Sequence, residues 1–182
     1  MSVPLFTANE AAGRFVLEVR SHMRKVIGVA DLGVSNQPDE ILITYSLGSC
    51  IAVMLYDPIA NVGGLLHYML PESSMDPEKA RSKPAMFADT GIPALFKQCY
   101  RLGATKRNLV VRIAGGSQIL DENGVFNIGK RNYLALRNIF WRNNVLVTAE
   151  HVGGTVNRTV RIEMSSGRVF LKVSGSGETE MP

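Results

Sequence analysis

Apolar residues fall into short runs whose spacing alternates between period two and period 3.6, and the changes of period mark the elements. Ile41-Leu42-Ile43-Thr44-Tyr45 is a β-prone run ending in the loop Ser46-Leu47-Gly48-Ser49. Two further apolar runs, residues 50–56 and 62–70, flank Asp57-Pro58-Ile59-Ala60, where proline fixes φ at the second position of a turn. Upstream, residues 26–34 are apolar and punctuated by glycine, and Gln37-Pro38-Asp39 reads as a turn. Residues 72–83 are polar, contain Pro77 and read as an exposed loop. From 84 to 102 the spacing is helical: Ile92, Leu95, Phe96 and Cys99 share one face, and Gly103 suits the stop.

Residues 109–114 predict a strand ending in Gly115-Gly116. Asn127 predicts the cap of a helix running to 143, with Tyr133, Leu136 and Phe140 on its apolar side and Lys130, Arg131 and Arg137 among its polar positions. Residues 145–149 predict another short strand, and His151 reads as a loop residue. Val160, Ile162 and Met164 alternate with polar residues, Ser165-Ser166-Gly167 turns the chain, and Val169, Leu171 and Val173 alternate again, as in a β-hairpin. At the N-terminus Thr7-Ala8-Asn9-Glu10 fits a capping box. Ala12, Phe15, Val16, Val19 and Met23 then share a helical face, although Phe15, Leu17 and Val19 also alternate as a strand would. The expected organisation is an N-terminal extension over 1–24, one domain over 25–173 and a disordered tail over 174–182. Strands first, two helices in the middle and a terminal hairpin predict a mixed α+β fold.

Composition narrows the function classes. The chain has 182 residues, 46% hydrophobic, which suits one domain with a real core and excludes wholesale disorder. No apolar run approaches the ~20 residues of a membrane span, and the first residues lack a basic stretch followed by an apolar core. The expectation is a cytoplasmic protein with no membrane insertion. Two cysteines and three histidines are too few for a structural zinc site of about four Cys/His ligands, or for a disulfide framework. No GxxxxGK[ST] or GxGxxG is present, so no phosphate-cradling loop is expected. The net charge of +4 suits nucleic acid or an acidic partner, and the absence of a recognition motif argues against nucleic acid.

One pairing carries chemistry. If residues 57–60 form the turn of a two-residue hairpin, facing residues have numbers summing to 117, and Cys50 faces His67, with Cβ atoms about 4.5–5.5 Å apart. A thiol is a weak nucleophile at its free pKa of ~8.5, and a neighbouring imidazole can take its proton. Gly48 leaves room beside the sulfur, the amides near Ser49 and Cys50 suit a developing oxyanion, and Thr44 can orient the imidazole through its hydroxyl or carbonyl. The plainer reading is a buried structural thiol and a satisfied strand histidine, because free cysteine is among the most buried residue types. Cys99, on the apolar stripe of a helix, reads as core packing, and Asp57 as the anchor of its turn.

Thr44-Tyr45-Ser46-Leu47-Gly48-Ser49-Cys50, Tyr56-Asp57-Pro58, Gly63-Gly64-Leu65-Leu66-His67 and Met69-Leu70-Pro71 closely resemble the chemoreceptor glutamine deamidases, the CheD family. The likeness continues through Phe87-Ala88-Asp89-Thr90, Ile113-Ala114-Gly115-Gly116, Asn127-Ile128-Gly129-Lys130-Arg131-Asn132 and Ala149-Glu150, and covers residues 25–172. The resemblance implies a mixed β-sandwich flanked by helices, similar to bacterial toxin deamidases. It implies Cys50 as nucleophile, His67 as base and Thr44 as supporting third member. It also implies methyl-accepting chemotaxis receptors as substrate and a CheC-type phosphatase as a partner; hydrolysis of an amide by these residues needs no metal or organic cofactor, and a monomer is the default state. The rival is a non-catalytic adaptor that docks through the basic helix beginning at Asn127.

Overall fold

The structure, a computed structural model, describes residues 23–118 and 127–182. The predicted capping box, the helix-or-strand stretch after it and His22 lie outside the described residues. Among the described residues, ten strands and three α-helices follow in chain order: β1 (Met23–Val26), β2 (Asp31–Ser35), β3 (Glu40–Leu47), β4 (Ile51–Asp57), β5 (Val62–Tyr68), α1 (Pro77–Ser82), α2 (Ala88–Arg101), β6 (Val110–Gly115), α3 (Ile128–Arg142), β7 (Ala149–Val152), β8 (Arg158–Glu163), β9 (Val169–Val173) and β10 (Glu178–Met181). They build two five-stranded sheets, one ordered β1-β3-β8-β9-β10 and the other β2-β5-β4-β6-β7.

Strand β4 shows why the layers stack as they do. All seven of its residues are buried, because each face meets a different partner. Ile51, Val53 and Leu55 pack outward on Ile92, Leu95 and Cys99 of α2 and Leu136 and Phe140 of α3. Ala52, Met54 and Tyr56 point the other way, onto Leu42, Leu47, Val160, Ile162 and Leu171 of the facing sheet. A strand covered on both sides reads as a continuous apolar run rather than an alternating one. The result is a β-sandwich with helices on one outer face, the α+β arrangement expected from the sequence.

The elements depart from expectation where neighbours override local pattern. The reading of 72–83 as a loop is corrected: α1 forms there, with Pro77 at its first turn and the Asp76 carboxylate accepting from the Lys79 N–H. Proline is favoured at that position because its missing N–H would be unpaired anyway. The strand expected at 145–149 begins only at Ala149, while Val145 and Val147 pack against the core, and His151 lies in β7 rather than a loop. Asn127 holds a left-handed conformation (φ 45°) at the start of α3, and its Oδ1 accepts from Gln118 Nε2 rather than capping the helix.

Both chain-end boundaries also move. Met23 is in β1, which pairs in parallel with β3, so the strand begins before residue 25. The tail over 174–182 is not disordered, because Glu178–Met181 pairs antiparallel with β9. Arg161–Glu178 and Arg168–Glu180 ion pairs flank that ladder, and Met181 is buried. Its sequence, ETEM, lacks an alternating apolar pattern because charge pairing rather than burial lines one side of it.

Candidate active site

The β4–β5 ladder pairs Ile51 with Tyr68, Ala52 with His67 and Asp57 with Val62, so facing residues sum to 119 rather than 117. Four residues, 58–61, make the loop, and Asn61 takes a left-handed conformation (φ 52°). Asp57 anchors it as expected, accepting N–H bonds from Ile59, Ala60 and Thr105. The direct Cys50–His67 opposition is therefore corrected: His67 opposes Ala52. A change of two positions preserves the face of every side chain, whereas a change of one would reverse it. Cys50, just before β4, packs with the cluster between the sheets that holds Ala52, so it lies diagonal to His67 on a shared face. Diagonal neighbours have Cα atoms about 7–8 Å apart and Cβ atoms somewhat closer.

Thr44 reaches the same layer from the facing sheet. Between Thr44 and Leu47, β3 carries one residue more than β8 opposes, a bulge accommodated by Ser46 at φ 57°. Tyr45 and Ser46 turn outward, while Thr44 and Leu47 are buried. Thr44 Oγ1 lies 2.7 Å from the Ile27 carbonyl oxygen and 2.7 Å from His67 Nδ1. The carbonyl only accepts, and a hydroxyl has one hydrogen to give. Both contacts are satisfied when Thr44 donates to Ile27 and His67 Nδ1–H donates to Thr44. That assignment puts the imidazole lone pair on Nε2, which is buried and has no hydrogen-bond partner among the described residues.

Electrostatics describe a neutral resting pair. Burial pushes His67 down to about 4, so its imidazole is uncharged at neutral pH. Burial also raises the half-buried Cys50 thiol, partly offset by its own backbone N–H, which favours the thiolate. Cys50 makes no hydrogen bond to His67 in this geometry, since Nε2 has no partner.

The loop carrying Cys50 is held from behind by residues to which the sequence reading gave no part in the site. Ser117 N–H donates to the Gly48 carbonyl at 2.8 Å, and Gly116 N–H to the Cys50 carbonyl at 2.8 Å. Asn132, buried on α3, donates through Nδ2 to the carbonyls of Ser49 (3.0 Å) and Met69 (2.9 Å). Such close approach needs glycine: a Cβ on Gly115 (φ 117°) would sit 2.2 Å from the Cys50 carbonyl oxygen, and one on Gly129 would sit 2.5 Å from that of Gly116. Arg158 is buried behind Ser117, donating to Ser117 Oγ, the Gly153 carbonyl and His151 Nδ1. A signal for Asn132 was present: stepping back four residues from the apolar pair Leu136 and Phe140 lands on it, so an amide occupies the buried stripe of α3. The structure thus brings together Thr44 and His67 directly, sets Cys50 on their face, and holds Gly48 and Ser49 in the loop by their carbonyls. The apolar groove between α2 and α3, lined by Ile92, Phe96, Tyr100 and Phe140, includes none of these residues.

Comparison with known proteins decides the family. The model described as CheD chemotactic sensory transduction matches residues 69–173. "Probable chemoreceptor glutamine deamidase CheD 1" of Syntrophus aciditrophicus (strain SB) is 54% identical over 156 residues, covering 86% of this chain and 98% of that protein. "Probable chemoreceptor glutamine deamidase CheD" of Solibacter usitatus (strain Ellin6076) is 51% identical over 157 residues, covering 86% and 93%. The chain belongs to the CheD family. The family match begins at Met69, two residues beyond His67, so Thr44, Cys50 and His67 lie outside it. Among solved structures, the Bacillus licheniformis hypothetical protein YfiH matches 66% of this chain and about half (49%) of its own, at 14% identity and a TM-score of 0.41. No helix among the described residues is long and apolar enough to cross a membrane.

Proposed function

We propose that this chain is a protein-glutamine deamidase that hydrolyses side-chain amides of methyl-accepting chemotaxis receptors, with Cys50 as nucleophile, His67 as base and Thr44 as the residue that orients the imidazole. One observation carries the reading: the Ile27–Thr44–His67 chain of hydrogen bonds leaves the unpartnered Nε2 lone pair on the face shared with Cys50. The names borne by the relatives at 54% and 51% identity support the substrate class.

The chemistry follows from the neutral resting pair. As Cys50 Sγ attacks the glutamine side-chain carbonyl carbon, His67 Nε2 takes the thiol proton, and the carbonyl π electrons move to oxygen. The sulfur comes within reach of Nε2 on substrate binding, since catalytic hydrogen bonds often tighten only in the complex. Backbone N–H groups near Ser49 and Cys50 hold the oxyanion. His67 then gives its proton to the leaving nitrogen, the C–N bond breaks, and ammonia departs from a thioester. Water loses a proton to the same nitrogen and attacks the thioester carbon. The C–S bond breaks, the thiol regains its proton and glutamate is released. Thr44 keeps the tautomer constant through both halves.

The test is incubation of a receptor cytoplasmic fragment with wild type, Cys50→Ala and His67→Ala, with glutamine-to-glutamate conversion followed by mass spectrometry. Conversion stops in both variants if the reading holds, and unchanged conversion by Cys50→Ala ends it. The second reading, a non-catalytic adaptor for a receptor or a CheC-type phosphatase, is favoured by the outer face of α3, where Trp141 and Leu134 are exposed beside Lys130, Arg131 and Arg137. Under that reading Trp141→Ala abolishes binding and no glutamate forms with any variant. In the cell the deamidase reading requires a cytoplasmic protein, and it holds for a monomer.

A further inference from the structure

The three carbonyls of the Cys50 loop all have donors, while among the described residues the two amides between them have no backbone acceptor and the Cys50 N–H faces its own thiol. Gly48, Ser49 and Cys50 offer their oxygens to Ser117 N–H, Asn132 Nδ2 and Gly116 N–H in turn. Among the described residues, the N–H groups of Ser49 and Cys50 donate to no other backbone carbonyl. Every described peptide bond is trans, and in a trans peptide the N–H points opposite to the C=O of the same unit. Fixing the Ser49 carbonyl toward α3 therefore turns the Cys50 N–H away from α3. Fixing the Gly48 carbonyl toward Ser117 does the same for the Ser49 N–H. Two successive amides without backbone acceptors make a concavity suited to negative charge.

Resting on the deamidase reading, we infer that Asn132 is a positioning residue that aims the Cys50 N–H at the oxyanion formed when Cys50 attacks a side-chain amide. Its reach is what distinguishes it. The same Nδ2 that holds the Ser49 carbonyl also holds the carbonyl of Met69, two residues past His67. Asn132 thereby ties the nucleophile's loop to the end of the strand carrying the base. Its own backbone carbonyl accepts from the buried Tyr68 hydroxyl at 2.8 Å, and Gly129, one turn earlier, allows α3 to approach the Gly116 and Ser117 carbonyls. The amide is thus fixed at its base as well as at its tip, which is the condition for a preorganised donor.

The experiment separates aiming from propping. Wild type, Asn132→Leu and Asn132→Ser are compared on a receptor fragment, with Cys50→Ala as the zero and urea midpoints to establish the folded fraction. Three rates or affinities are read. The first is kcat and KM for deamidation. The second is affinity for a peptide in which the target glutamine side chain ends in an aldehyde; the Cys50 thiol adds across its C=O, with sulfur bonding carbon and the thiol proton moving to oxygen. The third is alkylation of Cys50 by iodoacetamide, which expels iodide and creates no oxyanion. Per folded molecule, Asn132→Leu is expected to lose about 100-fold in kcat. KM stays within about twofold, aldehyde affinity falls in parallel with kcat, and alkylation stays within about threefold of wild type. Asn132→Ser, whose single short hydroxyl cannot span both carbonyls, gives the same pattern and decides the matter if the leucine variant does not fold. In wild type, aldehyde binding moves the Ser49 and Cys50 amide protons downfield more than any other backbone pair, a readout that needs no variant. Asn132 variants with kcat within threefold of wild type, alkylation falling in step with kcat, or unmoved amide protons each overturn the inference. Absence of glutamate with wild type itself defeats the deamidase reading instead, and the amide shifts still decide the aiming.

Discussion

Cys99 and Cys50 are the two thiols of this chain, and they sit on opposite faces of the same sheet. Cys99 projects from α2 onto the helix-covered face, so close to the sheet that a Cβ on Gly64 would lie 3.0 Å from its sulfur. Burial pushes it up to about 12. Burial raises Cys50 as well. Desolvation is therefore common to both and does not mark a reactive thiol. The difference lies in what surrounds the sulfur. Around Cys99 are aliphatic and aromatic side chains. Around Cys50 are a loop of three anchored carbonyls, two amides without backbone acceptors, and a histidine whose lone pair faces the same layer.

The contrast breaks most sharply if the wrong thiol matters. Cys50→Ala should lower deamidation by at least about 10³-fold, because no covalent route remains. A folded Cys50→Ala protein that still converts glutamine would make the two thiols equivalent. Thr44→Val comes next. It keeps the shape but leaves Ile27's carbonyl without its donor and frees the His67 tautomer, and a loss of about 100-fold in kcat is expected, with Thr44→Ser restoring most of it. Equal kcat for Thr44→Val and wild type would show that the imidazole needs no such restraint.

The pH dependence sharpens the same comparison through His67. Its folded-state value, about 4, lies below the ordinary value of 6.5, so the unfolded chain binds more protons between the two. Its contribution to stability is fully present above pH 6.5 and is lost as pH falls toward 4, by about 3 kcal/mol in all. Urea midpoints for wild type should fall over that window more steeply than those of His67→Gln, and parallel curves would contradict the burial. Because the base stays neutral down to about 4, the acid limb of kcat should also lie well below 6.5. The smallest effect is expected at the control position. Cys99→Ser should keep kcat within about twofold while costing roughly 1–3 kcal/mol, the penalty of a hydroxyl without a partner in an apolar site. Lost activity in a folded Cys99→Ser protein would overturn its assignment as packing.

Some of this site was legible because it is local. Cys50, His67 and the turn at Asp57 are neighbours along one hairpin, and counting outward from the turn gave the right face even with the wrong opposing residue. That tolerance is physical: strand side chains repeat every two residues, so a four-residue loop in place of a two-residue one moves each pair but reverses none. Asn132 stands in the polar start of α3, yet the carbonyls it holds lie 83 and 63 residues away in sequence. Strand β10 was invisible for the same reason, since ETEM becomes a strand only where β9 presents an edge and Arg161 of β8 and Arg168, just before β9, present charge.

The sequence by itself determined the apolar runs, the hairpin that joins the strands of Cys50 and His67, and the assignment of Cys99 to a core stripe. These follow from residue spacing, which a chain carries whether folded or not. Only the tertiary structure decided the tautomer of His67 and the direction of the Cys50 amide. Each is set by a donor or acceptor from another element, Ile27 and Thr44 for the one and Asn132 for the other. A hydrogen bond has a direction only once both of its ends are fixed in space, and packing the two sheets and α3 together is what fixes them.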